Sequence, residues 1–156
     1  MDYQRVLIPV HIGANSQEVA QAGLEIARNL GAKACFLFVK DSTLRHYLSL
    51  TGYPSASPGR SEEEVEQAMN VMGWRVLEDD LALARRLGVE AEAQLLGGNP
   101  LAAILAEIRP GDLIVVGSHE RGSLAHPNLG SVARGLVEKA LIPVLTVRLG
   151  RPVALA

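Results

Sequence analysis

Short, nearly continuous apolar runs recur along the chain and are separated by stretches with a helical period. Four such runs cover residues 6–10, 35–39, 113–116 and 143–147. A short run of this kind is typical of a parallel strand that is covered on both faces. Residues 89–95 instead alternate apolar and polar side chains, which predicts a strand at a sheet edge with one solvated face.

The helical stretches between these runs have recognisable ends. Ser61 and Glu64 have the spacing of a capping box, and Asn99 followed by Pro100 is typical of a helix start. Glycines after the periodic stretches are expected to end helices, because glycine readily adopts the left-handed conformation found there. The predicted starts are Asn15 or Ser16, Ser61, Asn99 and Gly130-Ser131, and the predicted ends include Gly31 and Gly88.

The alternation of strands and helices predicts an α/β fold. Right-handed crossovers then give a doubly wound three-layer sandwich around a five-stranded, mostly parallel sheet. A chain of 156 residues is expected to form one domain over residues 1–156. The segment 41–60 is rich in polar and turn-forming residues, among them Pro54, Pro58 and Gly59, and is expected to be a flexible, irregular insert.

Composition excludes several classes of function. The 15 Lys and Arg residues nearly balance the 17 Asp and Glu residues, and no basic cluster is interleaved with aromatics, which argues against nucleic-acid binding. Apolar runs stay well below the roughly 18 residues of a membrane helix. The N-terminus has neither a signal-peptide nor a transit-peptide pattern, so a cytoplasmic location is expected. The single cysteine, Cys35, lies in an apolar run and is expected to be buried.

The loop after the fourth predicted strand carries the candidate chemistry. Ligands of open parallel sheets bind at the carboxyl ends of the strands, where the strand order reverses. Gly117 at the strand end permits close approach of a ligand to the backbone. Gly130-Ser131 at a helix start would offer free N–H groups and a hydroxyl to a phosphate. The segment from Gly117 to Ser131 therefore resembles a phosphate-binding loop.

Several segments together resemble the universal stress protein family over nearly the whole chain. They are the first strand at residues 6–10, the loop from Gly117 to Ser131, the helix start at residues 129–132 and the final strand at residues 142–147. This resemblance implies the strand order 3-2-1-4-5 and a homodimer formed through the last strand. Some family members bind ATP between the ends of the first and fourth strands.

The resemblance also implies which residues would contact a nucleotide. The family loop has glycines at the positions of Gly117, Glu120 and Gly130, then a hydroxyl at Ser131, and it has an aspartate at the position of His11. Glu120 would repel a polyphosphate, and His11 removes the carboxylate acceptor, so the nucleotide pocket is expected to be degenerate. The candidate nucleotide-binding residues are Pro9, Val10, His11, Val39, Val116, Gly117, Arg121, Gly130, Ser131 and Val132.

The sequence thus predicts a non-enzymatic, dimeric stress-response regulator without a catalytic set and without an assigned cofactor. One alternative is an ATP- or AMP-binding stress protein that uses the Gly117 to Ser131 loop, and slow ATP hydrolysis stays open with it. The other is a metal-binding module at His11, His119 and Glu120, since two imidazoles and a carboxylate can ligate a metal. A hydrogen bond between His11 and Glu120 would account for the same residues.

Overall fold

The computed structural model describes residues 2–12, 16–50, 61–118 and 127–148. Its strands are β1 (Arg5–Val10), β2 (Lys33–Lys40), β3 (Ala91–Gly97), β4 (Asp112–Ser118) and β5 (Val144–Arg148). Its helices are α1 (Ser16–Leu30), α2 (Ser42–Leu50), α3 (Glu62–Leu87), α4 (Pro100–Glu107) and α5 (Pro127–Lys139).

The strands form one parallel sheet in the order β3-β2-β1-β4-β5. Helices α1 and α3 pack against each other and against one face of the sheet, while α4 and α5 pack against each other on the opposite face. The three-layer α/β fold and the strand order are therefore confirmed. Strand β3 lies at an edge, in agreement with its alternating sequence.

The core is formed mainly by the central strands and by the helix faces that cover them. Strand β1 is buried along its whole length. Burying one Leu, Ile or Phe side chain stabilises the fold by roughly 1.5–3 kcal/mol. The largest fully buried side chains are Phe36, Leu7, Ile8, Leu24, Leu37, Leu48, Leu77, Ile104, Ile114, Leu136 and Val6.

Polar groups at the amino ends of the strands are buried with their charges paired. Arg5 donates from Nε to Asp112 Oδ1 at 2.9 Å and from Nη2 to Asp112 Oδ2 at 2.8 Å, which links β1 to β4.

Cys35 is fully buried, as expected. Burial, together with the nearby Glu92 carboxylate, raises the pKa of its thiol to about 12, so the thiol stays protonated at neutral pH.

Local sequence signals account for the ends of α3. The Ser61 side chain accepts a hydrogen bond from the Glu64 N–H, and the Glu64 side chain accepts from the Ser61 N–H, which completes the predicted capping box. The helix ends at Gly88, whose φ of 71° lies in the left-handed region. Both expected ends of this helix are confirmed.

The expectation of an irregular segment over residues 41–60 is wrong for its first half. Helix α2 occupies Ser42–Leu50, and its Leu44 and Leu48 side chains, one turn apart, are buried in the core. Arg45 joins α2 to α3 by donating to both carboxylate oxygens of Glu62, at 2.8 and 2.6 Å. Residues 51–60 lie outside the described residues.

Two further expectations need correction. Strand β5 is an edge strand in which Leu145 is 39% exposed, so it is not covered on both faces. Helix α5 begins at Pro127, three residues before the predicted start at Gly130. Proline is well suited to a first helical position, because its missing N–H would have no intrahelical partner there.

Candidate functional site

The sheet opens between β1 and β4 at its carboxyl edge. Strand β1 pairs with β2 as far as Val10, but among the described residues its pairing with β4 ends at Leu7 and Ile114. The Arg5 N–H points toward β4, where it reaches the Gly111 carbonyl oxygen at 3.5 Å. By the two-residue period of a strand, the nitrogen of Pro9 points the same way, and proline has no N–H to donate. The two strands consequently separate where a crevice is expected.

Several predicted site residues lie on the two sides of this opening. Pro9 and Val10 end β1, and the half-buried His11 follows them. Val116 and Gly117, both buried, lie near the end of β4. The first and fourth strands therefore bring these residues to the same edge of the sheet, as the sequence predicted. Arg121, His119 and Glu120 lie outside the described residues.

A cavity of about 520 Å³ lies at the same carboxyl edge, between the starts of α4 and α5. Pockets of roughly 300–1,000 Å³ are typical of small-molecule sites. Ser131 and Val132 are the predicted site residues that line it, whereas Pro9, Val10, His11, Val39, Val116, Gly117 and Gly130 do not. Among the described residues, the lining consists of Asp41, Ser42, Gly98, Asn99, Pro100, Leu101, Ser131 and Val132.

The turn from β3 into α4 forms one wall of the cavity. Gly98 has a φ of 102°, which a residue with a side chain adopts only under strain. The Asn99 side chain accepts a hydrogen bond from the Ala102 N–H at 3.0 Å, and Pro100 follows as the first helical residue. These residues both start the helix, as predicted, and border the cavity.

Asp41 and Ser42, directly after β2, form another wall; the sequence analysis named Val39 near the end of this strand but not these two residues. The Asp41 carboxylate accepts a hydrogen bond from the Leu44 N–H at 3.0 Å and so caps α2, and Ser42 is the first residue of that helix. The available signal was a polar Asp-Ser pair directly after the apolar run of a central strand. Among the described residues that line the cavity, Asp41 is the one with a charged side chain.

The start of α5 differs from a simple phosphate cradle. Because the helix begins at Pro127, the N–H of Ser131 lies beyond the N–H groups that lack intrahelical partners. Ser131 is exposed and lines the cavity, so its hydroxyl is the group of this residue that is available to a ligand. The cavity thus combines hydroxyl, amide and carboxylate groups with the apolar surfaces of Leu101 and Val132. Such a lining suits a compact polar molecule with an apolar face.

The metal hypothesis finds no support in the described part of the chain, where no group of three His, Cys, Asp or Glu side chains could hold an ion. Two of its three proposed ligands, His119 and Glu120, lie outside that part. Among the described helices, none combines the length and the hydropathy of a membrane-spanning segment.

Comparison with known proteins identifies the family. The model of the universal stress protein family matches residues 2–148. The chain belongs to the universal stress protein family. A universal stress protein of Methanocaldococcus jannaschii is 28% identical over 148 residues, which cover 94% of this chain and 82% of the relative.

Two solved structures of universal stress proteins share the fold. One was determined in complex with cAMP; it is 20% identical, has a TM-score of 0.66, and the match covers 95% of this chain and 98% of that one. The other comes from Archaeoglobus fulgidus and was determined in complex with dAMP; it is 22% identical, has a TM-score of 0.60, and the match covers 96% and 100% of the two chains. At these identities the likeness establishes the fold alone.

Proposed function

We propose that this universal stress protein is a non-enzymatic stress-response regulator that binds an adenine nucleotide at the carboxyl edge of its sheet. The observation that carries the proposal is the cavity of about 520 Å³ between the starts of α4 and α5. It lies at the carboxyl edge of the sheet, and Ser131 and Val132 belong to both the cavity and the predicted nucleotide site. The cAMP and dAMP complexes of two proteins with this fold support the choice of ligand class.

Charge favours a nucleotide with one phosphate over ATP. The described lining carries the negative charge of Asp41 and has no Lys or Arg among its residues. The family resemblance implies a glycine of the nucleotide-binding loop at the position of Glu120, so a second carboxylate is expected near the phosphates. Each further phosphate would therefore meet repulsion, since like charges a few ångströms apart in a partly screened cleft cost about a few kcal/mol. We expect AMP or cAMP to bind more tightly than ATP.

Isothermal titration calorimetry with AMP, cAMP and ATP tests this function. The Ser131→Tyr variant should lose AMP binding, because the ring would fill the cavity that Ser131 lines. Glu138→Tyr is the matched control, since Glu138 is an exposed residue of the same helix that does not line the cavity.

Two results would count against the proposal. Wild-type protein that binds none of the three nucleotides would exclude an adenine nucleotide as the ligand. Equal AMP affinity of wild type and Ser131→Tyr would show that the nucleotide binds elsewhere.

We also propose that the protein is a homodimer formed through β5. In the part of the chain that the structure describes, this strand is at the edge of the sheet, and an edge strand presents backbone groups that can pair with another strand. Large apolar side chains are exposed on and just before it, with Leu145 39%, Val137 58% and Leu141 99% exposed. A second copy of the chain would cover both the edge and these side chains.

A further inference from the structure

The cavity is bordered by a carboxylate whose position is fixed by the fold. Asp41 directly follows β2, and its Oδ1 atom accepts a hydrogen bond from the Leu44 N–H at 3.0 Å. This bond holds the side chain at the start of α2, and the residue remains half-buried beside the cavity. A carboxylate can accept about four hydrogen bonds, so the helix cap uses a small part of its capacity.

Among the described residues, the other polar groups of the lining do not neutralise this charge. Ser42, Asn99 and Ser131 contribute hydroxyl and amide groups, and the remaining lining residues are Gly98, Pro100, Leu101 and Val132. The Oδ1 atom of Asn99 accepts from the Ala102 N–H, as the Asp41 carboxylate does from the Leu44 N–H. A ligand with hydrogen-bond donors would therefore find in Asp41 a charged acceptor that is already in place.

We infer that Asp41 is the specificity-determining acceptor of this cavity and binds donor groups on the nucleoside half of the ligand. This inference rests on the proposed function. A nucleoside carries two kinds of donor: the adjacent hydroxyls of the ribose and the exocyclic amine of adenine. Hydrogen bonds to a charged partner are the stronger class, so the contact contributes to affinity as well as to selection.

The direction in which one substitution changes AMP affinity separates this role from a purely electrostatic one. Asp41→Asn removes the negative charge while keeping an oxygen that can cap α2, since Asn and Asp are equally good N-cap residues. If Asp41 acted only through its charge, its removal would strengthen the binding of a phosphate anion. If Asp41 accepts hydrogen bonds from the nucleoside, AMP should bind about 10- to 100-fold more weakly to the variant.

Calorimetric titration of wild type and Asp41→Asn with three ligands locates the contact. The ligands are AMP, its 2′,3′-dideoxy analogue and purine riboside monophosphate, which has hydrogen in place of the adenine amine and no N–H on that edge of the base. The analogue that lacks the contacted donor should bind equally to the two proteins, whereas AMP should not. Asp79→Asn, an exposed change of the same kind on α3, should leave all three affinities unchanged.

The outcomes decide between failure of this inference and failure of the proposed function. AMP affinity that is unchanged or increased in Asp41→Asn would overturn the role of Asp41 while leaving nucleotide binding intact. A loss of the same size for all three ligands would also overturn it, because no nucleoside donor would then be involved. No binding of any ligand to wild type would remove the proposed function and this inference together.

Discussion

Asp80 is an acidic side chain in the interior of the molecule. It is 3% exposed and lies on the buried face of α3 with Leu77 and Ala84. Its Oδ2 atom has no hydrogen-bond partner among the described residues. Burial raises the pKa of this carboxyl group to about 7, with a smaller contribution from the neighbouring Asp79 carboxylate. Asp80 therefore costs stability when it is ionised.

The sign of the resulting pH dependence follows from the direction of the pKa shift. A carboxyl group with a raised pKa in the folded state favours folding while it is protonated. We expect the free energy of unfolding to fall by about a few kcal/mol as the pH rises from near 3.8, the ordinary value, to about 7. Asp80→Asn should remove this component and be more stable than wild type at pH 8.

Urea denaturation at pH 5 and pH 8 measures the effect. Asp79→Asn is the control, since that exposed change should retain most of the pH dependence. The account of Asp80 fails if wild type and Asp80→Asn lose the same stability between the two pH values. Arg5 and Asp112 are also buried charged residues, but unlike Asp80 they are paired with each other, at 2.8 and 2.9 Å.

At the scale of elements, the approach of α1 to the central strand depends on Gly23. A methyl group at this position would lie 2.7 Å from Ile8 Cγ1 and 3.3 Å from Ile8 Cγ2. Ile8 is fully buried and branched, so it cannot move out of the way. The glycine thus permits close packing of helix and sheet.

Gly23→Ala is expected to destabilise the protein. The helix-propensity gain of roughly 1 kcal/mol is outweighed by an overpacking cost near the upper end of the usual range of about 1–3 kcal/mol. Gly130→Ala, in α5, is the matched control: its methyl group would meet no atom of the described residues within 4 Å, so it should stabilise by up to about 1 kcal/mol. Midpoints of urea denaturation should shift in opposite directions. A similar gain from both substitutions would contradict this account of α1 packing.

The helices and strands also show which parts of the fold could be predicted from the sequence. Strong local signals, such as the capping box at Ser61 and the apolar runs of the central strands, predicted α3 and the sheet correctly. Helix α2 was missed because Leu44 and Leu48, which are buried among its described side chains, form a short pattern, and their burial is decided by packing against β2 and α3. The start of α5 was placed late because glycine and serine also occur inside a first helical turn.

The candidate site was predictable in part for a similar reason. Ser131 and Val132 follow from a loop pattern that is continuous in sequence. The contribution of Asp41 depends on three separate segments meeting at one cavity, and no local pattern encodes that meeting. The sheet topology accounts for the meeting of these three segments, because parallel strands bring all their carboxyl ends to one edge.

Two copies of the chain are expected to form a dimer through β5. Leu145→Lys should convert a dimer of twice 16.7 kDa into a monomer, because lysine on an edge strand opposes pairing. Leu30→Lys is a matched control, since Leu30 is 41% exposed, close to the 39% of Leu145, but lies at the end of α1. Sedimentation equilibrium distinguishes the two masses. A wild-type mass of 16.7 kDa would rule out the dimer.

The central prediction for the whole molecule is that AMP binds in the cavity at the carboxyl edge of the sheet. Amide chemical-shift mapping by NMR during titration with AMP tests this prediction most directly. We predict that the resonances of Asn99, Leu101, Ser131 and Val132, which line the cavity, shift in proportion to occupancy. The resonance of Ala34, near the amino end of β2, should stay in place. Shifts centred on the amino ends of the strands, or saturating AMP that moves no resonance around the cavity, would contradict the account.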